Sequence, residues 1–165
     1  MAVHAKVTSG IEIVQSSTLD LTNAEAKTAA ELTPIDYPNG TGSGQASKAF
    51  TDTRTLGSGA TENLDLAGGL TDALGNTLTF AVVKAIEIRA AAANTNNVEV
   101  GGAGTMGFSG PFKSITDIIA IPPGGRFLVA HPGAGWTVTA GSGDLLKITN
   151  SGTGSSVTYS VKIVG

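Results

Sequence analysis

The chain has 165 residues, of which 41% are hydrophobic and only 14% charged, with a formal net charge of −3. A charged share well below the usual ~25% excludes a disordered polyelectrolyte, which needs the opposite balance, and leaves little charge to solvate a large free surface. Cysteine is absent, which rules out disulfides and thiolate metal sites. No basic cluster is present to neutralise phosphates, so nucleic acid is not an expected partner. No apolar run approaches the ~18 residues of a membrane span.

The length fits one domain with an additional arm. Residues 1–53 carry three lysines against six carboxylates, whereas residues 54–165 carry seven charges of each sign. The opening Met-Ala-Val-His-Ala-Lys has no apolar stretch of signal-peptide length, so synthesis in the cytoplasm is expected. Gly10–Val14 and Thr18–Thr22 alternate as short strands do, placing Ile11, Ile13, Leu19 and Leu21 as apolar contacts of an extended arm. Asn23 to Leu32, reading NAEAKTAAEL, has the composition of one short helix capped by Thr22 or Asn23 and ended by Pro34. The glycine-rich Pro38–Gly44 follows as a flexible linker or loop, so residues 1–49 read as arm and 50–165 as the folded domain.

From Phe50 onward the pattern is strand, turn, strand. Strands are predicted at Phe50–Leu56, Thr61–Leu66, Thr77–Arg89, Asn97–Val100, Thr116–Ile121, Arg126–Ala130, Trp136–Thr139, Leu145–Asn150 and Ser156–Val164. Gly68-Gly69, Gly75-Asn76, Gly101-Gly102, Pro122–Gly125, Pro132-Gly133 and Gly141–Gly143 punctuate them. In Thr77–Arg89 the alternation shifts phase, so a bulge or bend is expected near Val83, with Val83 facing away from Ile86 and Ile88. No ten-residue helix fits between consecutive strands, so a parallel βαβ sheet is excluded. The predicted class is all-β: an antiparallel β-sandwich, jelly-roll-like, with an N-terminal arm and at most one short helix.

Chemistry-bearing patterns are sparse. His4 and His131 stand alone, and the aspartates are scattered without calcium-loop spacing, so no metal site is expected. Gly107-Phe108-Ser109-Gly110 falls one residue short of a nucleophile elbow. Gly101–Gly107 lacks the terminal Gly-Lys-Ser/Thr of a phosphate loop and cannot open a helix. No catalytic pair can be nominated, so the expectation is a non-enzyme without cofactor. Phe108, Pro111 and Phe112 form an apolar tip on this loop, which either contacts a neighbouring subunit or folds back to plug one end of the sandwich. Trp136 reads as packing beneath a loop, with glycan stacking as the alternative role.

Asp52–Leu56, Asp65–Gly75, Asn94–Asn97, Gly141–Gly152 and Val161–Gly165 resemble, in order, a small structural protein of tailed-bacteriophage gene clusters. The resemblance runs from Asp52 to Gly165 and does not extend clearly over residues 1–51. It implies a virion component with a sandwich, jelly-roll-like domain, acting at the capsid surface as a decoration or cement protein. For such a component the expected partners are the major capsid protein and itself, as a homotrimer suited to the threefold junctions of a capsid lattice or alternatively a dimer. A tail adaptor or fibre-base module, and a glycan-binding sandwich module, are the competing expectations.

Overall fold

A computed structural model describes residues 2–18, 23–29 and 32–165. Among these residues the chain is all-β. Four short strands make up the N-terminal region: β1 (Ala5–Val7), β2 (Ile13–Thr18), β3 (Asn23–Thr28) and β4 (Ile35–Tyr37). Next come β5 (Ala49–Leu56), β6 (Thr61–Asp65), β7 (Leu70–Thr71), β8 (Thr77–Leu78), β9 (Val82–Val83), β10 (Ala85–Ala90) and β11 (Val98–Gly101). A single 3-10 turn (Gly104–Met106) precedes β12 (Ile118–Ile121), β13 (Arg126–Ala130), β14 (Trp136–Thr137), β15 (Leu145–Asn150) and β16 (Val157–Val164).

The body consists of two four-stranded antiparallel sheets. The first has the order β13-β10-β16-β5 and the second β12-β11-β15-β6. The chain passes from one sheet to the other between β5 and β6, between β10 and β11, between β12 and β13, and between β15 and β16. Successive strands therefore sit in different sheets at equivalent positions. The period-2 pattern explains why these segments form such layers: Val157, Tyr159, Val161 and Ile163 of β16 are all buried, while Lys162 points to solvent. They meet Ile86 and Ile88 of β10 from their own sheet, and Leu64, Val98, Val100, Leu146 and Ile148 from the other, in one shared core. Two inward faces closing on one apolar cluster make the arrangement sandwich-like.

Arg54 and Glu62 connect the two sheets at their β5 and β6 edges. Arg54 on β5 donates to the Glu62 carboxylate on β6 at 2.6 Å, and the Tyr159 hydroxyl of β16 donates to the other Glu62 oxygen at 2.6 Å. Burial opposes the Arg54 charge, but Glu62 and Asp52 outweigh it and raise its pKa. Burial, reinforced by Glu62, pushes the Tyr159 phenol far above its ordinary range.

Several sequence expectations are corrected. The segment beginning NAEAKT is strand β3, not helix: it pairs antiparallel with β2 in the register Ile13↔Thr28 to Thr18↔Asn23. A ten-residue helix is marginal by itself, whereas the neighbouring strand supplies a backbone ladder. The first arm strand runs from Ile13 to Thr18 rather than from Gly10 to Val14, and Leu19 to Thr22 lie outside the described residues. Thr77–Arg89 is three strands rather than one, and they pair with β7, with β14, and with β13 and β16 together. The stretch breaks at residues 79–81 and again at Lys84, beside the expected bend, and Val83 turns inward to full burial instead of facing away. Strand β12 starts at Ile118 and β14 ends at Thr137, so both are shorter than their alternation predicts.

Candidate interaction surface

The N-terminal strands form one long hairpin arm with two unlike parts. Its base is the pair β1–β4, in the register Ala5↔Tyr37 to Val7↔Ile35. The base lies on the outer face of the first sheet, where Val3, Tyr37, Ala46 and Ala85 make a second buried cluster flanked by Ala49, Ala130 and Val164. Three of the four sheet strands present an alanine here, Ala130, Ala85 and Ala49, with Val164 on the fourth, which leaves room for the arm backbone and the Tyr37 ring. His4 Nε2 and Asp36 Oδ1 meet at 2.9 Å across the exposed side of this base.

Polar contacts fasten the base. The Tyr37 hydroxyl lies 3.2 Å from the Lys84 carbonyl and 3.0 Å from the His131 carbonyl. The Lys84 side chain is 1% exposed, and its ammonium donates to the carbonyls of Gly42, at 2.7 Å, and Gly133, at 3.2 Å. A buried ammonium is costly without acceptors, so these carbonyls are what make its position tenable. They come from the loop after the arm and the loop before β14, so Lys84 joins both to the β9–β10 break. Residues 38–46 are thus a fastened loop rather than a free linker.

The outer part of the arm, β2–β3, is different. Its described side chains from Ile13 to Ser16 and from Glu25 to Thr28 are all exposed. Ile11, Ile13 and Val14 are 78%, 52% and 51% exposed, and Leu32 is also open to solvent. Cross-strand partners share a face, so Ile13, Gln15, Ala26 and Thr28 form an uncharged face, while Val14, Ser16, Glu25 and Lys27 form the opposite one. Lys27 pairs with Glu12 at 2.6 Å. A lone two-stranded ribbon is at best marginally stable in water, so this part of the arm is suited to gaining a covering surface.

Beside the arm base, a groove of about 310 Å³ opens on the outer face of the first sheet. Its apolar lining includes Val7, Leu128 and Val164, and its cations are Lys6, Arg126 and Lys162. Glu87 lies between the last two, 3.8 Å from Arg126 and 3.3 Å from Lys162. Ser9, Gly10 and Ile11 border a second recess against Arg126 and Leu128, so the groove leads towards the point where the ribbon departs.

The other sequence-nominated residues are elsewhere. Phe108 is 3% exposed and belongs to the main core, which corrects its nomination as a contact. Phe112 packs on the same core and stacks on Phe127 at 6.2 Å, and Pro111 is half-buried. The loop therefore folds back. Gly101 and Gly102 permit this with φ of 105° and 71°; a Cβ at Gly101 would stand 2.3 Å from the Asp117 carbonyl oxygen. Trp136 is half-buried against the core with its ring edge-on to His131, 5.5 Å away, rather than displayed as a platform. His131 Nδ1 accepts from the Gly133 and Gly135 amides.

Sequence reasoning missed Tyr37, Lys84 and Leu128, and also the exposed Met106, Leu74 and Ile118. The Ala24-Glu25-Ala26-Lys27 alternation of small and charged residues was an available signal for β3. Nothing local distinguishes Lys84, whose partners are more than forty residues away. Among the described residues no group of three His, Asp or Glu side chains is placed to hold a metal ion, and no helix is long and apolar enough to cross a membrane. Comparisons with known protein families, with curated proteins and with solved structures returned no match to this chain.

Proposed function

We propose that this protein is a structural subunit that works by assembly, decorating and cementing the capsid surface of a tailed bacteriophage. The observation that carries this reading is the hairpin arm: its base is fastened to a two-sheet body while its outer ribbon stands exposed on every described side chain. The strand order supports it, since two sheets of four with the chain crossing at equivalent positions suit the jelly-roll-like body that this reading calls for, an architecture found in viral capsid domains. The placement in a phage particle rests on the sequence resemblance between Asp52 and Gly165, and the capsid surface is chosen over the tail because a rigid body with a reaching arm suits a clamp between shell subunits. Its partners are then further copies of itself, in a closed trimer or dimer, and the major capsid protein. Ribbon backbone at an exposed edge suits strand addition to a neighbour's sheet, which holds through main-chain hydrogen bonds.

The test is quantitative gel densitometry of purified particles, with a binding assay on shells stripped of the protein. A copy number tracking the capsomers, and loss of shell binding when residues 12–29 are replaced by a short turn, are the expected results. A copy number of a single tail ring, or undiminished binding without the ribbon, would overturn the reading.

A further inference from the structure

Strand β5 is an edge of the first sheet whose sequence is complementary to itself. It is eight residues long and pairs with β16 on one side only. Which of its backbone groups face the open side follows from Lys48 and Gly165, which exchange both amide–carbonyl bonds, at 2.8 and 3.0 Å. This pair continues the register Ala49↔Val164, and hydrogen-bonded and non-hydrogen-bonded pairs alternate along an antiparallel ladder. Phe50, Asp52, Arg54 and Leu56 therefore bond to β16, while Thr51, Thr53 and Thr55 turn their backbone groups outward. The Thr53 amide agrees, since it donates to the Asp52 side chain at 2.8 Å rather than to a strand. All three threonines are exposed.

A second β5 laid antiparallel about Thr53 sets Thr53 opposite Thr53, Thr51 opposite Thr55 and Asp52 opposite Arg54. The outward backbone groups of the threonine pairs then meet in about six hydrogen bonds, and Thr–Thr and opposite-charge pairs are favourable cross-strand neighbours. Asp52 and Arg54 fall at non-hydrogen-bonded positions, where facing side chains approach most closely. Within one chain these two already pair at 2.9 Å, and Arg54 also holds Glu62, yet the Asp52 and Arg54 side chains remain 43% and 31% exposed. The second copy sets an opposite charge directly across from each and a like charge across from neither. Its Thr53 carbonyl takes over the amide that Asp52 now accepts, which frees that carboxylate oxygen for the facing Arg54. The other edge strands β6, β12 and β13 have five, four and five residues, and none carries both an acid and a base.

We infer that the protein forms a two-fold dimer by pairing β5 with the β5 of a second copy, which joins two four-stranded sheets into one of eight. This deepens the proposed function by naming the contact between copies, and it rests on the reading of the chain as an assembling subunit. It selects the dimer over the trimer. It does not use the β2–β3 ribbon, which is left for the shell.

The absence of cysteine lets cross-linking read the register. Facing residues of a hydrogen-bonded pair lie ~5.5 Å apart at Cα, within reach of a disulfide. Thr53→Cys by itself should give a disulfide-linked dimer on mild oxidation, and so should a mixture of Thr51→Cys with Thr55→Cys. Neither member of that mixture should cross-link alone, because each substituted position then faces a threonine. Thr53→Pro removes the outward amide without touching the β16 ladder, and Thr53→Lys sets two ammonium groups against each other on the axis. Both should turn the dimer seen by velocity sedimentation into a monomer with unchanged circular dichroism. Replacing residues 12–29 by a short turn should leave the dimer intact. An unsubstituted protein that is monomeric or trimeric, Thr51→Cys cross-linking alone as well as Thr53→Cys, a dimer that survives both Thr53→Pro and Thr53→Lys, or a dimer lost with the ribbon would each overturn the inference. A monomer that still binds stripped shells through its ribbon would sink the self-contact and leave the proposed function standing. A β5-linked dimer that binds no shell would do the reverse.

Discussion

Tyr37 and Lys84 hold each other in place across 47 residues of sequence: the phenol of one reaches the backbone carbonyl of the other at 3.2 Å, at the point where the long β8–β10 stretch breaks. The break turns the Lys84 side chain inward, where its ammonium ties two loops together. The arm is therefore fastened to a defect in the sheet rather than to a regular strand.

Removing that hydroxyl should loosen the arm base selectively. Tyr37→Phe keeps the ring in its cluster but takes the hydroxyl donor from the His131 carbonyl, while the Lys84 carbonyl keeps the His131 amide at 2.7 Å, at a cost of about 1–3 kcal/mol. Hydrogen exchange followed by mass spectrometry should show faster exchange over residues 5–7 and 35–37, with β15 and β16 unchanged. Equal acceleration throughout would mean that the base and body open as one unit.

Phe108→Ala should behave as a core truncation. With the ring 3% exposed and packed in the main cluster, the expected loss is about 3–5 kcal/mol in denaturant unfolding. The folded fraction should assemble as the unsubstituted protein does. An assembly defect with unaltered stability would return Phe108 to the surface.

Alkaline titration should reveal both tyrosines together. The chain has only Tyr37 and Tyr159, and burial raises the pKa of each above the ordinary 10.0. A phenol with a raised folded-state value stabilises the fold below its unfolded value and ceases to do so as pH climbs past it, because the unfolded chain then releases the proton first. Phenolate absorbance should accordingly stay flat through pH 10 and rise only in step with the loss of circular dichroism. A normal ionisation at pH 10 in the folded protein would contradict the burial of both rings.

Asp72 provides the acidic counterpart. Its carboxylate accepts hydrogen bonds from the Leu74 and Asn76 amides and the Asn76 side chain, closing the turn between β7 and β8. Those bonds, chiefly from Asn76, lower its pKa below the usual 3.8. The stabilisation is therefore present above the ordinary aspartate range and is lost as pH falls through the lowered value. Asp72→Ala should melt below the unsubstituted protein at neutral pH, and the two melting curves should converge below pH 3.8. A gap independent of pH would show that packing, not the carboxylate, closes the turn.

The Arg54–Glu62 pair should be measurable but modest. Both side chains are partly solvated, with relative exposures of 31% and 21%, so a double-mutant cycle should give a coupling on the order of 1 kcal/mol. Tyr159→Phe should reduce stability further by freeing one Glu62 oxygen. Zero coupling would assign the joining of these sheet edges to apolar packing alone.

What the amino-acid order determined by itself is the all-β class and the position of most body strands: Arg126–Ala130 and Leu145–Asn150 begin and end where their alternation and flanking glycines place them. Period-2 patterning is a local property, and a strand with one buried face must display it. Only the tertiary structure decided that NAEAKT is strand, that Val83 turns inward at Lys84, and that Phe108 lies inside. Intrinsic preferences for helix differ by tenths of a kcal/mol per residue, less than the backbone ladder and burial that a partner strand supplies. The burial of Tyr37 and Lys84 depends on loops that are remote in sequence, the farthest contact spanning 94 residues, and no window along the chain contains both sides of such a contact.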